Sequence, residues 1–282
     1  MQLTKRLCMK FGEIIGGEVI GLSALPEYCG VRVFRTFKVS ILGRNSTSPL
    51  DSIFWFQSTK IPGKTLNLGF LALLEKEVAP IVRLLTKQNI TVTSIEQKYL
   101  FSKPNMINVF FQSVENPFQF AKKMRVIVNK LPFIHKRPTP GPSRNKKFRI
   151  LCKQFNNIIG GSPNVIGDWC ESVKERDIKV TVMGIPTTIL STRLLAFSFQ
   201  SVDANGRALC IGMVTLKRNE TKRFLAVLNK QAKTIPSSLY SRWFIKPNLI
   251  YLNFVRIQKP LVFAKQMNQA VKVLNDHHAC KC

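Results

Sequence analysis

The chain repeats itself, and this constrains its fold more than any other feature. Leu7-Cys-Met-Lys-Phe-Gly-Glu-Ile-Ile-Gly-Gly17 matches Leu151-Cys-Lys-Gln-Phe-Asn-Asn-Ile-Ile-Gly-Gly161. Further matches follow in the same order: Lys38–Gly43 with Lys179–Gly184, Phe56-Gln-Ser58 with Phe199-Gln-Ser201, Gly69 with Gly212, Pro104-Asn105 with Pro247-Asn248, Phe120-Ala-Lys122 with Phe263-Ala-Lys265, and Met124 with Met267. The offset stays between 141 and 144 residues, so each copy is one structural unit. Two such units packed together make a pseudo-twofold particle, and the cleft between them is the expected ligand location.

The copies divide the chain into a first repeat at 1–131, a basic proline-rich linker at 132–150, a second repeat at 151–275 and a His/Cys tail at 276–282. The linker, Pro132 to Lys147, reads as an extended, solvated tether. Within the first copy, Leu7, Phe11, Ile14 and Ile15 share one face of a helix from Thr4 to Ile15, which Gly16-Gly17 ends. Strands are expected over Val31–Leu42, Ser52–Ser58 and Leu66–Leu74, and a helix over Glu75–Asn89 with acidic residues in its first turn. Strand Thr91–Leu100, turn Ser102–Asn105, strand Met106–Ser113 and helix Pro117–Leu131 complete the copy. The order α-β-β-β-α-β-β-α predicts an α+β unit, a mostly antiparallel sheet with helices on one face.

Lys and Arg number 43 against 15 Asp and Glu, a formal net charge of +28 spread over both copies and densest in the linker. Such a surface attracts anionic ligands or polyanions. There is no long uncharged apolar run and no apolar leader near Met1, so the expectation is a cytoplasmic protein without a membrane span. Seven scattered cysteines do not suggest a disulfide framework; Cys8 and Cys152, on the apolar side of equivalent helices, read as small buried hydrophobes.

Familiar catalytic patterns are missing. His135 lies in the linker and His277 and His278 in the tail, with no Ser-His-Asp or Cys-His spacing. The Gly-Gly pairs follow helices and so do not form a dinucleotide loop. Carboxylates are too few and isolated to suggest a glycosidase pair. The tail, His277-His-Ala-Cys-Lys-Cys282, holds incidental soft-metal ligands, and no cofactor or metal is expected. Aromatics with basic neighbours recur, most notably Tyr240-Ser-Arg242-Trp243-Phe244 with Lys246 close by, a combination suited to stacking plus cation contact.

Leu74–Ile95 and Lys103–Phe111 resemble the bacterial LppY/LpqO family, with an acidic-start helix, an entry to a strand, a proline turn and a second strand. The resemblance covers nearly the whole chain and is weaker in the second copy. It implies a potential centre of His-Asn-His plus a later His, able to bind metal or shuttle protons. Here those places carry Glu96-Gln97-Lys98 and Phe110 in the first copy, and Tyr240-Ser241-Arg242 and Asn253 in the second. Lys98 and Arg242 have no lone pair to give a metal when protonated, so the departure points to an anion site.

The resulting expectation is a non-catalytic binding protein for a phosphate-bearing or other anionic small ligand, a nucleotide included. Lys98 and Arg242 would contact the anion, with Trp243, Tyr240, Glu96, Lys103 and Lys246 near it. A sequence-nonspecific DNA or RNA binder and an enzyme with residual family chemistry are the alternatives.

Overall fold

The computed structural model describes residues 2–20, 22, 27–135, 141, 143–232 and 235–274, with the side chains of 135 and 231–235 left out. The His/Cys tail lies outside these residues. In the first repeat the order is α1 (Lys5–Ile15), β1 (Glu18–Ile20), β2 (Tyr28–Arg35), β3 (Ser40–Ile41), β4 (Arg44–Asn45), β5 (Asp51–Ser58), β6 (Thr65–Leu74), α2 (Glu75–Lys87), β7 (Thr91–Glu96), β8 (Ser102–Lys103), β9 (Met106–Glu115) and α3 (Pro117–Val128). The second follows β10 (Ile134–His135) and comprises α4 (Lys146–Ile159), β11 (Ser162–Ile166), β12 (Trp169–Glu175), β13 (Val180–Val182), β14 (Ile185–Thr187), β15 (Leu194–Gln200), β16 (Ala208–Lys217), α5 (Arg218–Ala232), β17 (Ile235–Tyr240), β18 (Ile245–Lys246), β19 (Leu249–Gln258) and α6 (Pro260–Val271).

Each repeat forms a large antiparallel sheet, β1-β2-β5-β6-β9-β7 in the first and β11-β12-β15-β16-β19-β17 in the second. The expected α+β unit is therefore present twice. Its helices are cut where the residues demand it. Thr4 accepts from the Leu7 N–H at the start of α1, and Gly16 closes it in the left-handed region at φ 80°. Asn145 and Gly160 do the same for α4. Helices cover only one face of each sheet: Phe11, Ile81, Leu85, Phe120 and Met124 seal the first against Phe54, Phe56 and Phe111. Phe155, Phe224, Leu228, Phe263 and Met267 seal the second against Phe197, Phe199 and Phe254.

The other faces meet. The small sheet β4-β3-β8 of the first repeat puts Ile41, with nearby Tyr99, onto Leu209, Ile211 and Val255 of the second repeat's large sheet. Reciprocally, β14-β13-β18 puts Val180, Val182 and Ile245 onto Trp55, Leu66, Leu68 and Phe70 of the first. The matched Phe-Gln-Ser strings serve this interface. Gln57 donates to Pro186 O at 2.8 Å and accepts from Thr187 Oγ1 at 2.5 Å, while Gln200 donates to Ser46 Oγ at 2.8 Å and accepts from Thr47 N at 3.3 Å. Ser46 and Thr187 are themselves equivalent, so the two repeats grip each other by the same buried amide, as pseudo-twofold symmetry requires.

Three expectations need correction. The stretch Val31–Leu42 is not one strand. Its first part, β2, stays in the large sheet, while β3 leaves for the small sheet and turns at Leu42 and Gly43, both at positive φ. The linker is more than a tether, because Ile134 and His135 pair with Arg35 and Phe34 and α4 begins at Lys146. The cysteines do form a framework: Cys8 is bonded to Cys29 and Cys152 to Cys170, each joining the first helix of a repeat to its sheet. Cys210 is free and buried. None of the described helices is long and apolar enough to cross a membrane.

The repeated glycine also has a physical cause. A Cβ on Gly212 would lie 2.1 Å from the Phe254 ring, and one on Gly69 2.7 Å from that of Phe111, so each glycine lets a core ring lie flat on the neighbouring strand. Gly212→Ala is expected to cost roughly 1–3 kcal/mol by overpacking, seen as a lower denaturant midpoint at unchanged m-value.

Candidate ligand site

The interlocked faces do not fill the space between them. A cavity of about 580 Å³ remains, lined by residues of both repeats. One wall is aromatic: Trp55, Phe70, Phe110, Tyr240 and Tyr251 follow one another with ring centroids 5.9, 5.3, 5.7 and 5.4 Å apart. The charged and polar lining includes Lys98, Arg242, Arg32, Asp51, Glu171 and Asn164.

Two duplicated bulges set the position of the cations. β7 shifts register on β9 between Val92 and Ser94, and β17 shifts on β19 between Pro236 and Ser238. The bulged residues, Thr93 and Ser237, each reach across to the other repeat beside its cation. The Thr93 carbonyl accepts from the Trp243 N–H at 3.1 Å, and the Ser237 hydroxyl donates to the Lys98 carbonyl at 3.0 Å. Bulges re-aim a strand end; here each one anchors the segment that carries the other repeat's cation.

Arg242 is fixed. Its guanidinium lies 3.9 Å from the centroids of both Phe110 and Tyr251, donates to Ser191 O at 3.1 Å and to Tyr240 Oη at 3.2 Å, and leaves Nε buried without a partner. Lys98 is different. Its ammonium has ring neighbours, Phe70 at 5.7 Å and Tyr99 at 5.4 Å, yet makes no hydrogen bond or ion pair among the described residues. Burial pulls its pKa down, opposed by Glu96. Glu96 sits in the same cluster, buried, with Ser238 and Tyr240 beside it but neither oxygen in a well-formed hydrogen bond. Desolvation pushes its carboxyl up to about 7 against the pull of Lys98 and Arg242.

Lys98, Arg242, Tyr240 and Glu96 are thus brought together from two repeats. Trp243, Lys103 and Lys246 are not. Trp243 follows Arg242 outward, its N–H tied to Thr93, and its indole is 69 % exposed against Phe244. Lys103 and Lys246 are exposed on the short strands β8 and β18, where their backbones pair with Ser40 and Thr181. Asp51, Glu171 and Arg32 were missed by sequence reasoning, since each stands alone on a strand with no neighbour to flag it. Among the described residues no group of three or more His, Cys, Asp or Glu is placed to hold a metal ion.

Asp51 also lines the cavity. It is buried, one oxygen has no partner, and desolvation lifts its carboxyl to about 7 despite Arg32 and Lys98, with Glu171 and Glu18 adding to the rise. A raised folded-state pKa favours the fold below the unfolded value and loses that contribution as pH climbs through 7. Asp51→Asn is therefore expected to change stability little at pH 4 and to raise it at pH 8, by roughly 1–4 kcal/mol, in parallel urea titrations.

Two fused repeats that grip each other through small sheets, with a cavity lined by both, define a two-repeat α+β protein. The chain belongs to the family described as Domain of Unknown Function (DUF1259), whose model matches residues 10–130 and again 153–273. No curated protein matches the sequence.

Proposed function

We propose that the chain is a non-catalytic binding protein for a small organic anion held in the cavity between its repeats. The observation that carries this reading is Lys98, an ammonium lining an aromatic cavity with no hydrogen-bond or ion-pair partner among the described residues. A partly buried ammonium whose N–H groups have no acceptor is costly even with Glu96 near it, and an anionic ligand removes part of that cost. Arg242, pinned between rings, supplies a second fixed positive charge that needs no reorganisation on binding. A ligand bearing phosphate or carboxylate fits both. The LppY/LpqO resemblance supports the same location, since the positions where that family shows imidazoles are Glu96, Lys98 and Phe110 here, meeting Tyr240, Arg242 and Asn253. None of these positions carries an imidazole.

Binding of nucleic acid is the second reading, favoured by the charge of +28. The two are separated by tryptophan fluorescence, because Trp55 and Trp169 line the cavity while Trp243 does not. A small anion is expected to change the emission with a shallow salt dependence, and Lys98→Ala to weaken it roughly 10- to 100-fold, the worth of a charged hydrogen bond. If only oligonucleotides bind, with a log–log salt slope near −0.9 per phosphate and no response to Lys98→Ala, the cavity is not the site.

We also infer an oxidising compartment rather than the cytoplasm. It rests on two disulfides at equivalent places, which persist where thiols are not kept reduced.

A further inference from the structure

The two repeats have diverged where they line the cavity, and the divergence describes the ligand. At one pair of equivalent cross-strand positions the first repeat has Gly30 opposite Trp55, the second Glu171 opposite Ser198. A Cβ on Gly30 would come within 3.1 Å of the Trp55 indole, so glycine there gives the ring its space. The same place in the second repeat holds a buried carboxyl, to which Asn164 donates at 3.2 Å. At this position the first repeat thus gives the cavity an aromatic face and the second a polar one.

The unmet hydrogen-bonding capacity is of both kinds. Among the described residues Lys98 has donors without acceptors, and the Trp169 Nε1–H is buried without a partner. Asp51, only 9 % exposed and lining the cavity, has an oxygen without a donor. Inorganic phosphate, mainly an acceptor and without a ring face, satisfies Lys98 and Trp169 but brings its negative charge against Asp51 and Glu171. An ammonium ligand suits the acids but faces Lys98, Arg32 and Arg242. A hydroxyl donates and accepts, and so serves a carboxyl in either protonation state. Trp55 and Phe70, the part of the aromatic wall that Arg242 does not lie on, add a preference for a ring face.

Building on the anion-binding reading above, we infer that the ligand is a hydroxylated ring acid, its anionic group on Lys98, its hydroxyls on Asp51 and the Glu171–Asn164 pair, and its ring against the aromatic wall. Such a ligand gives Lys98, Asp51 and Glu171 each a partner, and a site built for hydroxyls rejects analogues lacking them by large factors.

The test is titration calorimetry of the whole chain at pH 7 with quinate and glucuronate as hydroxylated ring acids, cyclohexanecarboxylate as the ring acid without hydroxyls, glucose as the uncharged polyol, and inorganic phosphate. It is repeated with Asp51→Leu and Lys98→Met, whose thermal unfolding is recorded alongside. The expected result is that at least one hydroxylated acid binds tenfold or more tightly than all three controls. Asp51→Leu then loses that margin without weakening cyclohexanecarboxylate, and Lys98→Met weakens every acid. If cyclohexanecarboxylate or phosphate binds as well as the hydroxylated acids, and Asp51→Leu changes nothing, this inference fails while the anion-binding reading stands. If no acid binds, or Lys98→Met binds all of them as the parent does, both fail.

Discussion

Arg176→Met is expected to lower the unfolding free energy by roughly 3–5 kcal/mol, the cost of leaving a buried carboxylate without its cation. Arg176 and Glu220 are 2 % and 1 % exposed, and they pair through two bonds of 2.7 and 2.9 Å. Each does more than neutralise the other. Arg176 also donates to Thr215 O at 2.8 Å, and Glu220 accepts from the Lys217 N–H at 2.8 Å, where β16 passes into α5. The pair therefore ties β12 to the strand-to-helix junction. The first repeat has the same device in Arg35 and Glu77, with Ala72 O and Leu74 N in the equivalent roles. Arg35→Met is expected to cost somewhat less, since Glu77 is 11 % exposed and water relieves part of the charge. Urea unfolding reads both effects, and Arg176→Met with Glu220→Leu should recover much of the loss, because both charges are then removed. A loss below about 1 kcal/mol for Arg176→Met alone would mean that the pair carries no more than an exposed salt bridge does.

Removing both disulfides is expected to cost roughly 6 kcal/mol, about 3 kcal/mol for each loop of this length. The bridges span 21 and 18 residues, and each closes a helix onto its own sheet. Because the two repeats share one interior, opening one loosens the surface on which the other packs. Cys8→Ala with Cys29→Ala, and Cys152→Ala with Cys170→Ala, should each lower the melting temperature, and a reductant should lower it further in each variant, which keeps one bridge, but not when all four cysteines are replaced. An unchanged melting temperature in all of these would contradict the role assigned to the bridges.

Much of the fold was legible because it depends on residues that sit next to one another in sequence. The α1 stripe of Leu7, Phe11 and Ile15 and its Gly16 stop mark a helix in any context. The matched Gly69 and Gly212, and the matched Phe-Gln-Ser strings, showed the duplication before their work in packing Phe111 and Phe254 and in joining the repeats could be known. The features that escaped are non-local. Cys29 and Cys170 lie far along the chain from their partners, and the odd cysteine count hid two pairs. Strands of two or three residues, such as β3, β8, β13 and β18, are too short to show a period. Asp51, Glu171 and Arg32 are ordinary alternating strand residues until two sheets face each other. For the candidate site, Lys98, Arg242, Tyr240 and Glu96 were visible as departures from a family pattern. Trp243 was misplaced because its attraction, an aromatic beside cations, says nothing about which side of the turn it occupies.

The central claim is that a small anion occupies the cavity between the repeats, held by Lys98 and Arg242. The most direct measurement takes the parent protein and the Lys98→Ala and Lys98→Ala/Arg242→Ala variants through the same purification and a high-salt wash. Each is then heat-denatured, and the supernatant examined by mass spectrometry. The account predicts one defined small anion released from the parent, in proportion to protein, and depleted in both variants; Lys98→Ala guards against a fold damaged by loss of the stacked arginine. Release of heterogeneous nucleic acid alone, or of the same anion in equal amount from all three proteins, would contradict it.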